Sequence, residues 1–235
     1  MKSIFSKKSI LGTMAVAAVC MLGTGNVQAQ EFTIQGDLVS SYVWRGIYQG
    51  GAASFQPTLG FSVGNFSLTA WGSTSLSESN KEIDLTAAYK FGEAGPTLSV
   101  ATLWWDGQAD VANGELTNNY FHFKSGDTGH HFEAGLAYTL PIEKFPLSIA
   151  WYTMFAGADR KTTDEGEEKQ AYSSYVELNY PFSVKGVDLN ATCGVVPYKT
   201  PQYNVNGFAV TNLALKATKA INFNDKFSLP IFVQA

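Results

Sequence analysis

Arg45 is the side chain in this sequence with the clearest potential for chemistry. It follows Tyr42, Val43 and Trp44 in a segment, residues 37–46, that also contains Asp37. Alternation along that segment predicts that Asp37 and Arg45 lie on the polar face, and that Tyr42 and Trp44 lie on the opposite, lipid-facing side. An arginine enclosed by protein needs a carboxylate or water around it, because an unpaired buried charge is costly.

Glu82 and Asp84 are carboxylates that we expect near the outer end of the fourth strand, whereas Arg45 is expected near the outer end of the first. Two interpretations of Arg45 therefore stay open: a charged constriction that sorts solutes, or a structural ion pair that fixes the shape of the fold. Trp71 and Trp105 are expected on the same face, where filling a narrow lumen is favoured over a slide for sugars or nucleosides. The residues predicted to line the lumen are Asp37, Arg45, Trp71, Glu82, Asp84, Lys90, Glu133 and Glu177.

The elements that position these residues are predicted to be β-strands, since apolar and polar residues alternate with a period of two along most of the chain. In residues 55–63 the odd positions are Phe, Pro, Leu, Phe and Val, and the even positions are Gln, Thr, Gly and Ser. The same alternation recurs in residues 83–91, 132–140 and 187–195. No convincing amphipathic helix is found.

Composition favours a membrane environment for these strands. Charged residues are 15% of the chain and aromatic residues 14%, whereas a soluble domain has about 25% charged residues. The polar positions are mostly Ser, Thr, Gly, Asn and Gln, which suit a confined aqueous lumen, and aromatic residues occur near strand ends. We therefore expect an all-β fold, an antiparallel transmembrane β-barrel over residues 30–235, with a lipocalin-like periplasmic barrel as the alternative.

The first 29 residues predict export. Lys2, Lys7 and Lys8 precede an uncharged, mostly apolar stretch, and small residues precede a predicted cut after Ala29. We expect residues 1–29 to be a signal peptide and the product to reside in the outer membrane. A net charge of −4 without a basic run argues against nucleic acid as a partner. No cofactor is predicted, and no pattern specifies the oligomeric state.

Connections of alternating length predict the topology. Short turns are expected at residues 64–65, 92–96, 141–146, 181–186 and 222–226, and longer links at 48–53, 75–81, 106–129, 156–170 and 197–207. Bacterial barrels place short turns in the periplasm and long loops outside. Residues 120–124 are assigned to the third long loop, which leaves eleven crossings. Because single-chain barrels have even strand numbers, we expect about 12 strands when intact, with the last strand missing here.

Several short motifs in this chain resemble a known family. Residues 41–46 (Ser-Tyr-Val-Trp-Arg-Gly), residues 70–73 (Ala-Trp-Gly-Ser), Glu82-Ile83-Asp84 ahead of Tyr89, and residues 138–141 are similar to the TorF family of outer-membrane porins. The resemblance implies an outer-membrane barrel with a channel role. The expected function is passive diffusion of small hydrophilic solutes, with membrane lipids and those solutes as partners.

Alternatives to a channel are a lipid-hydrolysing barrel and a plugged barrel that serves structure or adhesion. The enzyme alternative would use His131 with Ser173 or Ser125, but no nucleophile motif supports it, so we expect no enzyme activity. His130 and His131 should point to opposite faces of a strand, which disfavours a shared metal ion.

Overall fold

The computed structural model describes residues 18–19, 30–106, 119–124, 128–224 and 227–235. Most of the predicted signal peptide, with its cut after Ala29, therefore lies outside the described residues. So do Ser125, most of the predicted third long loop and the last two residues of the predicted turn at 222–226.

All described secondary structure is β-strand, in agreement with the predicted all-β class. The sixteen strands are β1 (Ala18–Val19), β2 (Gln30–Val39), β3 (Tyr42–Trp44), β4 (Ile47–Gly50), β5 (Ser54–Val63), β6 (Phe66–Ser75), β7 (Lys81–Lys90), β8 (Thr97–Trp105), β9 (His130–Thr139), β10 (Ser148–Gly157), β11 (Arg160–Thr162), β12 (Glu168–Gln170), β13 (Ser174–Val184), β14 (Val187–Val196), β15 (Ala209–Asn224) and β16 (Phe227–Gln234). No described segment forms a helix that could span a lipid bilayer.

One large antiparallel sheet contains most of these strands, in the order β1-β2-β5-β6-β7-β8-β9-β10-β13-β14-β15-β16. Apart from the two-residue β1, this sheet has eleven strands, the number of crossings that alternation predicts. Two small hairpins, β3–β4 and β11–β12, form separate pairs. Within the described residues the last strand does not pair with the first, so the sheet is not closed. A closed barrel of about 12 strands, and a missing last strand, stay predictions.

The connections follow the predicted alternation in length only in part. The link between β6 and β7, predicted to be long, spans residues 76–80 and is shorter than the predicted short turns, which span 91–96 and 140–147. Two other turns are shorter than expected. β13 and β14 continue past the predicted turn at 181–186 and meet at Lys185 and Gly186 alone. Both residues have positive φ, 49° and 76°, as a two-residue type I′ hairpin turn requires. β15 likewise extends to Asn224 rather than ending at residue 222. Residues 119–124 form no strand, which agrees with their assignment to a loop.

The two faces of the sheet have opposite chemistry. One face exposes large apolar side chains, among them Leu59 (57% exposed) and Leu213 (73% exposed). The other face buries polar side chains, among them Gln56, Glu82 and Glu133. A water-soluble protein shows the reverse arrangement, because burial of apolar surface drives its folding.

The hairpin β3–β4 lies against the polar face and defines it as the inner face. Tyr42 contacts Trp71 on β6, and Trp44 contacts Trp105 on β8. At the tip, Gly46 reaches the backbone of Thr211 on β15. A single hairpin touches strands this far apart in sheet order only if the sheet curves around it.

The predicted outward position of Tyr42 and Trp44 is therefore wrong. Alternation would have carried β2 through Trp44, but the strand ends at Val39 and the chain bends at Ser40 and Ser41. The next strand turns inward, and both aromatic rings pack against inner-face residues.

Candidate functional site

The tip of the β3–β4 hairpin is a two-residue turn made of Arg45 and Gly46. Their φ angles are 50° and 84°, so the turn has the positive φ values at both central positions that type I′ needs. Positive φ is uncommon for a residue other than glycine and costs free energy. The contacts of the Arg45 side chain must therefore compensate for this conformation.

Glycine is required at the second position of that turn. A Cβ atom on Gly46 would lie 1.9 Å from the carbonyl oxygen of Thr211, far inside van der Waals contact. Gly46 thus allows the hairpin backbone to approach β15 directly, and this approach fixes how deeply the tip enters the concave face.

The Arg45 guanidinium forms a bidentate ion pair with Glu133 on β9. Nη1 donates to Oε2 at 2.6 Å and Nη2 donates to Oε1 at 2.7 Å. Nη1 also donates to the Tyr203 hydroxyl at 2.8 Å, and the two charged side chains are only 13% and 5% exposed. Although burial alone would lower it, the pKa of Arg45 is raised above its ordinary value, chiefly by the charge of Glu133. The guanidinium therefore stays charged.

Aromatic rings enclose the same guanidinium. Its Cζ atom lies 4.4 Å from the ring centroid of Tyr152, 4.6 Å from that of Trp44 and 5.0 Å from that of Tyr175. These distances are within the range of cation–π attraction. Tyr203 stacks on Trp44 with ring centroids 5.6 Å apart and on Tyr175 with centroids 5.7 Å apart. The charge at the hairpin tip is thus held in one position.

Comparison with protein-family models, curated proteins and solved structures gives no match to this chain. The interpretation of the site consequently depends on its geometry and on the sequence motifs.

Glu82 and Asp84 on β7 form the second part of the inner-face cluster. Sequence reasoning offered them as partners of Arg45, whereas the hydrogen-bonded partner is Glu133. Both carboxylates nonetheless act electrostatically on Tyr42, at the base of the hairpin. Burial, with the charges of these carboxylates, raises the pKa of the Tyr42 phenol, which therefore stays neutral.

A cavity of about 520 Å³ opens beside Glu82. Its wall combines the hairpin with the ends of β5, β6, β7 and β8, and Tyr42, Ser54, Ser73, Asn80 and Trp105 line it together with Glu82. At its edge, Lys81 Nζ lies 3.7 Å from Asp106 Oδ2.

The remaining predicted lining residues also alternate onto the inner face, but none of them contacts Arg45 directly. Asp37 accepts a hydrogen bond from Gln35 at 2.9 Å. Glu177 accepts one from Tyr175 at 2.8 Å and one from Asn179 at 2.6 Å. Lys90 is half-buried at the far end of β7 and lies on the same face of the strand as Glu82. Trp71 contacts Tyr42. The structure thus brings Arg45 and Glu133 into direct contact and places Trp71, Glu82 and Asp84 around the base of the hairpin. Glu177 joins the site through Tyr175, whereas Asp37 and Lys90 lie apart.

Sequence reasoning placed Trp71 and Trp105 on the inner face but missed the three tyrosines that surround Arg45. Tyr175 precedes the predicted Glu177 by two positions on one strand, and this spacing could have placed it on the inner face. Tyr203 gave no such signal, because it belongs to a long connection between strands. Tyr152 could have been found from the parity of β10, in which Ile149 and Trp151 face outward.

The two histidines have structural surroundings in the described part of the chain. His130 Nδ1 is hydrogen-bonded to Thr102 Oγ1 at 2.7 Å, and Nε2 to the Tyr120 carbonyl at 2.6 Å. His131 packs against Trp105, with ring centroids 5.2 Å apart. Among the described residues no group of His, Cys, Asp or Glu is arranged to hold a metal ion.

Ser173, offered by the enzyme alternative as a partner of His131, has different neighbours. Its hydroxyl is hydrogen-bonded to Asp159 and Thr200, and its backbone N–H donates to Asp159 Oδ2 at 2.8 Å. These contacts join two long connections, residues 158–173 and 197–208, at one end of the sheet. The arrangement is that of a buried hydrogen-bond network, and Ser125 lies outside the described residues.

Proposed function

We propose that this protein is an outer-membrane β-barrel, exported by a signal peptide at residues 1–29, that acts as a passive channel for small hydrophilic solutes. The observation that carries the proposal is the inverted chemistry of the sheet. Strands of about ten residues expose apolar side chains outward and bury polar ones inward. Ten residues is the length that a tilted strand needs to cross the hydrocarbon core, and an apolar outer band facing lipid is typical of such barrels.

The proposed partners are outer-membrane lipids around the apolar face and small hydrophilic solutes on the inner face. Aromatic side chains near the short turns, among them Tyr89, Phe91, Phe145 and Tyr180, would form the interfacial girdle of such a barrel. The TorF-like motifs contribute Arg45, Trp71, Glu82 and Asp84 to the inner face. The proposal includes no catalytic step.

Selectivity of the proposed channel would come from the hairpin tip. Arg45 and Glu133 lie where the β3–β4 hairpin narrows the concave face, and rings of charged side chains at a narrow point are a common filter in channels. The paired charges and the fixed aromatic rings would define the width there.

A second candidate, a plugged barrel without steady conductance, has one observation in its favour. Trp44 stacks on Tyr203, with an angle of 5° between the rings, and also packs edge-on against Trp105. A hairpin held by such contacts could fill the lumen permanently.

Conductance in a planar lipid bilayer tests the proposal. The full-length protein should give steady single-channel currents, and replacing residues 42–50 with a short Gly-Ser link should raise the conductance several-fold. Shortening the exposed hairpin β11–β12 to a similar extent is the matched control, and it should leave the conductance unchanged. Wild-type silence together with large currents from the hairpin deletion would favour the plugged barrel.

Arg45→Ala separates a filter from a purely structural ion pair. With the guanidinium removed, Glu133 faces the lumen unpaired, and the reversal potential in a salt gradient should shift toward cation selectivity. An unchanged reversal potential in a folded variant would count against the filter.

A further inference from the structure

The cavity beside Glu82 has an accessible end and a charged base. It is about 520 Å³ in volume, within the range of about 300–1,000 Å³ of sites that bind small molecules. Lys81 and Asp106 lie at its edge, and the nearly fully buried Glu82 (2% exposed) lies in its wall. A small solute could therefore enter from the end of the sheet and lie beside the Glu82 side chain, whose two carboxylate oxygens are themselves buried.

Polar groups of both kinds lack partners at this position. The two carboxylate oxygens of Glu82 and the Nε1–H of Trp105 are buried and form no well-shaped hydrogen bond within the described chain. The side chains of Tyr42, Trp105 and Asp84 lie beside this carboxylate and interact with it, without meeting strict hydrogen-bond geometry. Unpaired buried donors and acceptors are rare in folded proteins, because each costs the desolvation of its group. A ligand that both donates and accepts hydrogen bonds would satisfy this set.

The formal charge of the ionisable side chains that line this cavity is negative. Arg45 is committed to Glu133 through both of its terminal nitrogens, so it does not neutralise Glu82 directly. Among the residues that line the cavity, the cationic one is Lys81, which is paired with Asp106 at the edge. The carboxylate of Glu82 therefore favours a positively charged ligand.

The wall chemistry narrows the class of cation. Tyr42 and Trp105 border the carboxylate with aromatic rings, which attract ammonium groups. Ser54, Ser73 and Asn80 give the wall a polar surface, although each already has a hydrogen bond within the chain. The described residues gather no set of metal ligands there. Hydroxyl groups on a ligand would match the polar wall, and an amine would match Glu82.

We propose that this cavity is a binding subsite for small hydroxylated organic amines, with Glu82 as the anionic anchor. This inference rests on the proposed function in that it names the class of solute favoured by the channel. Binding is nevertheless measurable on solubilised protein, without any pore.

The probe pair is N-methylglucamine and sorbitol, because the two share a polyol chain and only the first carries an amine. Isothermal titration calorimetry on the full-length protein in detergent should give at least about tenfold tighter binding of N-methylglucamine. Glu82→Gln, which keeps the shape of the side chain, should abolish that preference. Glu93→Gln, the same change in the exposed turn at the far end of β7, should retain it.

Equal binding of the two probes to the wild-type protein would overturn the proposal, and this comparison needs no variant. An unchanged preference in a Glu82→Gln protein with wild-type circular dichroism would overturn it as well. Conductance without amine preference would refute the subsite alone, whereas amine preference without conductance would refute the channel alone.

Discussion

Arg45 and Glu133 are 88 residues apart in the sequence and share two parallel hydrogen bonds of 2.6 and 2.7 Å. The bond pair joins the tip of the first long connection to the middle of the sheet. A bidentate geometry fixes the orientation of the guanidinium plane as well as its distance. This pair therefore determines how the hairpin is oriented on the concave face.

Removal of both partners should destabilise the protein by less than the sum of the two single removals. Arg45→Ala leaves Glu133 buried without a counter-charge, a change that costs about 3–5 kcal/mol. We expect the double variant Arg45→Ala/Glu133→Ala to lose less than the sum of the single variants. Urea unfolding in detergent micelles for the four proteins of the cycle measures the coupling free energy, and strictly additive losses would show that the pair contributes nothing.

Gly46→Ala should be far more damaging than the same substitution at Gly166. Both glycines have nearly equal positive φ, 84° and 82°, so the conformational cost of alanine is about the same. Only at Gly46 does the new Cβ meet a backbone carbonyl, since nothing lies within 4 Å of a Cβ built on Gly166. We expect a loss of about 1 kcal/mol at Gly166 and a considerably larger one at Gly46, measured by thermal unfolding. Equal losses would mean that the approach to Thr211 is not tight.

Ionisation of the buried Tyr203 phenol should destabilise the folded protein at alkaline pH. Burial raises the pKa of its phenol to about 12, against 10 in an unfolded chain, and the positive charge of Arg45 opposes part of this rise. The folded state therefore binds the phenolic proton more tightly. Its contribution is complete below pH 10 and is lost as the pH rises through 10 toward 12.

Tyr203→Phe isolates that contribution. At about 1.4 kcal/mol for each pKa unit, the wild-type protein should lose roughly 2–3 kcal/mol more than the variant between pH 9 and 12. Urea midpoints measured over this range at constant ionic strength provide the comparison. Parallel pH curves for the two proteins would contradict the prediction.

Leu59→Arg tests the placement of the outer face in lipid. Leu59 lies on β5, opposite Ile34 of β2 and Ala70 of β6, and is 57% exposed. An arginine there should cost about 2–4 kcal/mol if the position faces hydrocarbon, but close to nothing if it faces water. The inward neighbour Thr58→Arg is the control for an added charge on the same strand. Folding into lipid vesicles, followed by urea titration, distinguishes the two environments.

Alternation predicted the strands well because the side-chain period of a strand is a local property. The parity of Glu82, Asp84 and Lys90 on β7 placed all three on the inner face from sequence alone. The strand count of eleven followed from the same pattern and from the turns. Local patterns, however, contain no information on whether the edges of the sheet meet.

The main feature that sequence reasoning failed to predict is the β3–β4 hairpin, because its turn was not recognised. Tyr42 and Trp44 occupy even positions, as the outward apolar residues of β2 do. The alternation therefore does not indicate that the chain reverses direction at Arg45 and Gly46. The available signal was Gly46 itself, because glycine is favoured at the second position of a two-residue hairpin turn. The pairing of Arg45 with Glu133 could not be read at all, because it depends on the curvature of the whole sheet.

The close approach of Gly46 to Thr211 has a consequence for the kinetics of folding. It joins the first loop of the chain to a strand near its end, so forming it requires the closure of a very long loop. Folds dominated by contacts of large sequence separation acquire their native structure slowly. We expect the hairpins between neighbouring strands to form first. The packing of the β3–β4 tip against β15 should be among the last events, after the strands of the sheet have paired.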